Sequence, residues 1–136
     1  MALRIFISFA REDIRYRDLL VGQAKNNKTP FELVDMSVQE PFDDKWKSRC
    51  REKIKHSHAF IALLSKRTWR ADGARWEMKC AAEEGIPCLG IHVRKDNKGA
   101  IPPELRGRAI EWRWNSIARF ISAIDRKRSL WDRFLS

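Results

Sequence analysis

The sequence holds no apolar run longer than the AFIALL of residues 59–64, far short of the roughly 20 residues that span a bilayer. No charged leader and cleavage site precede the first strand pattern, which makes the cytoplasm the expected location. Cysteine is scarce and odd in number. Cys50, Cys80 and Cys88 show no CxxC spacing, which suits small buried residues better than disulfides or zinc ligands. The three histidines are as uninformative: His56 and His58 flank a helix end and His92 ends a strand. None has a Cys or Asp at metal or nucleophile spacing, so no metal site is expected. Internal repeats, linkers and low-complexity tracts are missing too. Acidic residues are in deficit, 18 against 28 Lys and Arg, for a net charge of +10.

What is present is an ordinary domain's composition: 136 residues, 43% hydrophobic and 34% charged, enough to bury a core within a single domain over 1–136. A surface this basic attracts nucleic acid, anionic lipid or phosphorylated small molecules. The basic residues are scattered over RYR (15–17), KWKSRCREKIK (45–55), SKRTWR (65–70), RGR (106–108) and RKR (126–128). With no helix-turn-helix, RNP aromatic string or zinc finger, that scatter argues against a nucleic-acid module.

Short apolar runs alternate with helix-like stretches. LRIFISF (3–9), FELVDM (31–36), AFIALLS (59–65) and PCLGIHV (87–93) read as strands, and AIEW (109–112) as a short edge strand. EDIRYRDLLVGQAKNN reads as a helix after the first. DDKWKSRCREKIKHS (43–57) reads as a helix capped by Asp43 or Asp44, with Trp46, Cys50 and Ile54 facing the core. A third helix covers ARWEMKCAAEE, and NSIARFISAIDRKRSLW is a fourth, with Ile117, Phe120, Ile121 and Ile124 on one face. The prolines of IPPEL forbid a central strand. This alternation predicts an α/β fold, a parallel sheet with helices on both faces. In such sheets ligands bind beyond the carboxyl ends of the strands, where strand order reverses. The predicted ends are Ser8-Phe9-Ala10, Asp35-Met36-Ser37, Leu64-Ser65 and His92-Val93-Arg94.

Glu77 raises a question. If helical, its neighbours three and four residues away are Gly73, Ala74, Cys80 and Ala81, so no basic side chain on its own helix can pair with it. It either projects to solvent, pairs with a lysine from another element, or stands unpaired for a chemical reason.

FISFAREDIRYRDLL resembles the first box of TIR domains. DMSVQEPFDDKWKSRCREKIKHSHAFIALLS, then T-x8-E within TWRADGARWE, then A-x3-GIPCLGIHV, resemble more specifically the TIR-like family that forms the signal-producing subunit of Thoeris anti-phage systems. The resemblance runs from about residue 4 to 124. It implies a flavodoxin-like three-layer fold with about five strands. It also implies cleavage of NAD, as substrate rather than cofactor, between nicotinamide and ribose, with Glu77 at the position of the essential glutamate. Relatives turn the ADP-ribosyl fragment into a nucleotide signal, often cyclic, for a separate effector, and are gated by self-association. The alternative is a non-catalytic TIR adaptor acting by TIR–TIR association. One departure is Gly73, where many TIR enzymes carry a tryptophan.

The chemistry suits a single carboxylate. Glycoside hydrolysis ordinarily needs two, because the leaving oxygen must be protonated. Nicotinamide already leaves neutral from a pyridinium, so one carboxylate held near the developing oxocarbenium charge is enough. Other candidate substrate-binding residues stand at strand ends or nearby. Phe9 and Trp46 are suited to stack on nicotinamide or adenine, or to the core. Ser8, Asp35 and Ser37 lie where a ribose or phosphate would sit, or serve as turn and cap residues. Arg11 is suited to meet a pyrophosphate, or to be a solvated surface arginine. The stretch MSVQEPFDD (36–44) reads as a loop that orders at an interface between copies.

Overall fold

A computed structural model describes residues 3–29, 31–36 and 42–135. Ser37 and most of the 36–44 stretch lie outside them. The described residues form β1 (Arg4–Ser8), α1 (Ile14–Asn26), β2 (Glu32–Val34), α2 (Asp44–Lys55), β3 (Ala59–Leu64), α3 (Asp72–Glu84), β4 (Cys88–His92), β5 (Ala109–Glu111) and α4 (Trp114–Leu135). The strands make one parallel sheet in the order β2-β1-β3-β4-β5. The expected α/β architecture is present, and AIEW supplies an edge strand.

Strand parity sorts the core into two halves. Ile5 and Ile7 of β1 and Ile61 and Leu63 of β3 point to one face, where they meet Leu20 of α1 and Ile117, Ile121 and Ile124 of α4. Phe6, Phe60, Ala62 and Leu64 point to the other, against Trp46, Cys50 and Ile54 of α2 and Met78 and Ala81 of α3. Phe6 stacks on Phe60 at 5.5 Å between ring centroids. Side chains alternate along a strand, so the next even position after Phe6, Ser8, also faces α2 and α3.

The helix ends follow local chemistry. Asp43 caps α2, its carboxylate accepting the Trp46 N–H at 2.9 Å. Gly85 closes α3 at φ 70°, a left-handed conformation that glycine adopts without Cβ strain. The segment after β1 does not enter a helix at once, because Arg11–Asp13 form a 3-10 turn before α1 begins. Pro103–Leu105 of IPPEL form another such turn. The last helix continues beyond the expected Trp131 to Leu135.

From β1 the chain passes to β2 on one side and then back across to β3 on the other. Strand order therefore reverses between β1 and β3, and their carboxyl ends border the crevice where α/β sheets bind ligands.

Candidate active site

Glu77 stands on the core-facing stripe of α3, with Ala74, Met78 and Ala81, at a position where helical periodicity calls for an apolar residue. It is 6% exposed. No lysine or arginine among the described residues pairs with it. Its partner comes from the sheet: the Ser8 hydroxyl, itself wholly buried, donates to Glu77 Oε1 at 2.6 Å. The Cys50 thiol lies 3.9 Å from Oε2, a weak contact. Ser8 Oγ also lies 3.4 Å from the Ala74 carbonyl, an acceptor for its proton should the carboxyl itself be protonated.

These surroundings set the proton affinity of Glu77. Burial penalises the charged form and, with the Asp35 carboxylate adding repulsion, pushes the carboxyl up to about 8, while the bonds from Ser8 and Cys50 pull the other way. The Cys50 thiol is raised by burial and then by the Glu77 charge. It stays protonated at neutral pH, a donor and not a nucleophile.

Above Glu77 opens a cleft of about 940 Å³, large enough for a dinucleotide-sized ligand. Phe9, Arg11, Trp46, Gly73 and Glu77 line it. The Trp46 indole, 6% exposed, packs edge-on between Phe42 at 4.9 Å and Trp76 at 5.6 Å. A Cβ built on Gly73 would stand 3.8 Å from Trp46 Cη2 and Cζ2, so the indole of α2 lies within contact distance of the bare first turn of α3. Trp46 is thus a core residue and a cleft wall at once.

The remaining candidates are placed differently. Ser8 is behind Glu77, not on the cleft surface. Asp35 is not among the lining residues, and its Oδ2 accepts from Arg17 Nη1 at 2.7 Å. Arg17 lies 5.6 Å over the Phe9 ring, so one arginine of α1 braces both a cleft wall and the residue after β2. Ser37 lies outside the described residues.

Sequence reading missed the Ser8–Glu77 bond, although strand parity and the helical stripe together point Ser8 at α3. It also missed a cluster at the mouth, buried Asp13 and Ser65 with exposed Arg67, which no local spacing announces. Among the described residues no group of three His, Cys, Asp or Glu side chains could hold a metal, and all three cysteines are free. Among the described residues no helix is long and apolar enough to cross a membrane.

The crystal structure of the TIR domain of the Toll-related receptor TRR-2 from Hydra magnipapillata is similar at TM-score 0.67 and 14% identity, over 87% of this chain and 97% of that one. The TIR domain heterodimer of RPS4 and RRS1 is similar at TM-score 0.58 and 14% identity, over 90% and 96%. The TIR domains of the activated Roq1 resistosome recognising the pathogen effector XopQ match at TM-score 0.51 and 14% identity, over 66% and 57%. At that identity the likeness speaks for the fold. No curated protein matches the sequence. The model of the family described as "Thoeris protein ThsB, TIR-like domain" matches residues 6–98, more than half of the chain, and the protein belongs to that TIR-like family.

Proposed function

We propose that the protein cleaves NAD between nicotinamide and ribose and converts the ADP-ribosyl fragment into a nucleotide signal, cyclic in the simplest case, for a separate effector in anti-phage defence. The observation that carries this reading is the carboxylate of Glu77, buried at the base of a dinucleotide-sized cleft with a hydroxyl for a partner and no cation.

In this reading Glu77 acts in its ionised form. As the bond to nicotinamide stretches, positive charge grows on the ribose, and a desolvated carboxylate stabilises it more than a solvated one. Ser8 orients the carboxylate and favours its charged form. Trp46 and Phe9 offer aromatic faces to the nicotinamide or adenine ring. A fixed cation beside Glu77 would compete with the ribosyl cation, and its absence among the described residues suits the chemistry.

Incubating purified protein with NAD, with and without lysate of infected cells, and following nicotinamide by chromatography tests the reading. Release that disappears in Glu77→Gln supports it. No release in any condition, or release that survives Glu77→Gln unchanged, overturns it. The second reading is a TIR adaptor that works by association. It is supported by two of the similar structures, one a TIR heterodimer and the other a resistosome. Self-association also fits the first reading, as the gate on activity. Assembly without NAD turnover would favour the adaptor.

A further inference from the structure

The outer part of the cleft carries a second chemistry that the carboxylate at its base does not use. Arg11, Lys66, Arg67 and Arg70 all line it, against two rim carboxylates, Glu12 and Asp72. All four cations are exposed. Arg11, Lys66 and Arg70 form no ion pair among the described residues.

Arg67 is held in a different way. Its Nη1 lies 3.3 Å from Oδ1 of Asp13, which is wholly buried. The other Asp13 oxygen accepts the Ser65 hydroxyl at 2.5 Å, and Ser65 Oγ accepts the backbone N–H of Arg67 at 3.1 Å. The Thr68 hydroxyl accepts the Ser65 N–H at 2.8 Å. The turn after β3 is thereby tied to the start of α1, and the guanidinium at its tip is fixed by one edge. A guanidinium has five N–H donors in a planar fork, so the donors not taken by Asp13 remain for a bidentate acceptor in the cleft. A buried carboxylate that orients an arginine at the mouth of a cavity is a poor use of a charge for folding alone, given the cost of burying it.

We propose that Arg67, positioned by Asp13 and assisted by Arg11, Lys66 and Arg70, forms a phosphate-recognition rim, so that the cleft selects a pyrophosphate-bearing dinucleotide over the unphosphorylated nucleoside. This rests on the NAD reading above for the identity of the nucleoside end. The rim itself follows from the cation cluster and the Asp13 clasp. Arg67 is the specificity-determining residue and Asp13 a positioning residue.

The test is a set of calorimetric titrations with NAD, nicotinamide riboside and inorganic pyrophosphate, all in the Glu77→Gln background to limit consumption of ligand. NAD is expected to bind at least about tenfold tighter than the riboside, the scale of one charge-assisted bidentate contact, and pyrophosphate to compete with NAD. Adding Arg67→Gln should weaken NAD about tenfold and leave the riboside unchanged, with Arg67→Lys restoring little because a point charge lacks the fork. Asp13→Asn should act in the same direction. Should it fail to fold, the exposed Arg67 still carries the test. Equal affinity for NAD and riboside, no binding of NAD or pyrophosphate, or an equal loss of NAD and riboside binding in Arg67→Gln overturns the proposal. Nicotinamide release surviving in Glu77→Gln would instead sink the catalytic reading while leaving the phosphate preference measurable.

Discussion

Ser8 Oγ donates to Glu77 Oε1 at 2.6 Å across 69 residues of sequence, from the last residue of β1 to the second turn of α3. The bond joins β1, which borders the switch point of the sheet, to α3, the helix that follows the other bordering strand, β3. It also sets up a contest: burial disfavours the Glu77 charge, and a single neutral hydroxyl is its main counterweight. A carboxylate so placed is weakly compensated in the resting protein and gains most when a cation forms beside it.

Removing the counterweight should therefore move a pKa as well as a rate. Ser8→Ala deletes the bond that favours the ionised form, so the pH midpoint of nicotinamide release is expected to rise, and the rate at pH 7 to fall by about tenfold, the scale of one hydrogen bond to a charged group. A pH–rate profile and a carboxyl NMR titration of Glu77 check this. A uniform loss of rate with an unmoved midpoint would mean that Ser8 only supports the fold.

In the unaltered protein, release should increase as pH rises. With the carboxyl pushed up to about 8, less than half of free Glu77 is ionised at pH 7, so kcat/KM should climb between pH 6 and 9 with its midpoint near 8. Bound NAD brings a pyridinium charge that favours the carboxylate, so the midpoint for kcat should lie lower. A profile that falls across that range would contradict an ionised Glu77 as the working form.

Gly73 offers a separate check on the cleft wall. Its φ is not positive, and a methyl there would meet Trp46 at 3.8 Å, ordinary contact. Gly73→Ala should stabilise the protein by about 0.5 kcal/mol through reduced freedom of the unfolded chain, seen as a melting temperature raised by a few degrees. Gly73→Leu should instead push its branch into the Trp46 wall and cut kcat/KM for NAD by about tenfold or more. Equal activity in the two variants would show that the ligand does not approach this turn.

The sheet was legible because its signals are local. Apolar runs such as AFIALL and the 46-50-54 stripe of α2 declare period and face by themselves, and parity then sorts Phe6 from Ile7. Glu77 stood out for the same local reason, a charge among small residues on one helix. The partners did not, because they are set by tertiary geometry. Nothing in the spacing of Ser8 and Glu77, or of Asp13 and Arg67, says that strand end and helix turn meet. Asp35 shows the converse: a strand-end aspartate reads as a ligand contact, yet Arg17 of α1 reaches it at 2.7 Å. Chain ends of elements were least legible, since a 3-10 turn at 11–13 and four further residues of α4 depend on packing rather than on propensity.

The last prediction concerns stability. The folded-state pKa of Glu77 is raised from the ordinary 4.5 to about 8 by burial, so in the folded protein it holds a proton that the unfolded chain releases in that window. Below about pH 4.5 both states are protonated and the site costs nothing. As pH rises toward 8 the unfolded state binds fewer protons, and stability falls. Above 8 the full cost is present. Glu77→Gln keeps the shape and removes the titration, so its melting temperature should match that of the unaltered protein near pH 4 and exceed it increasingly up to pH 8. The gain there is on the order of 4 kcal/mol at most. In the same variant nicotinamide release should drop at least about a hundredfold, the scale of losing one well-placed electrostatic group. A variant both less stable at pH 8 and fully active would mean that Glu77 is a structural anchor, its charge matched by a partner in the folded chain. A variant more stable yet inactive is what a carboxylate reserved for a transient cation requires.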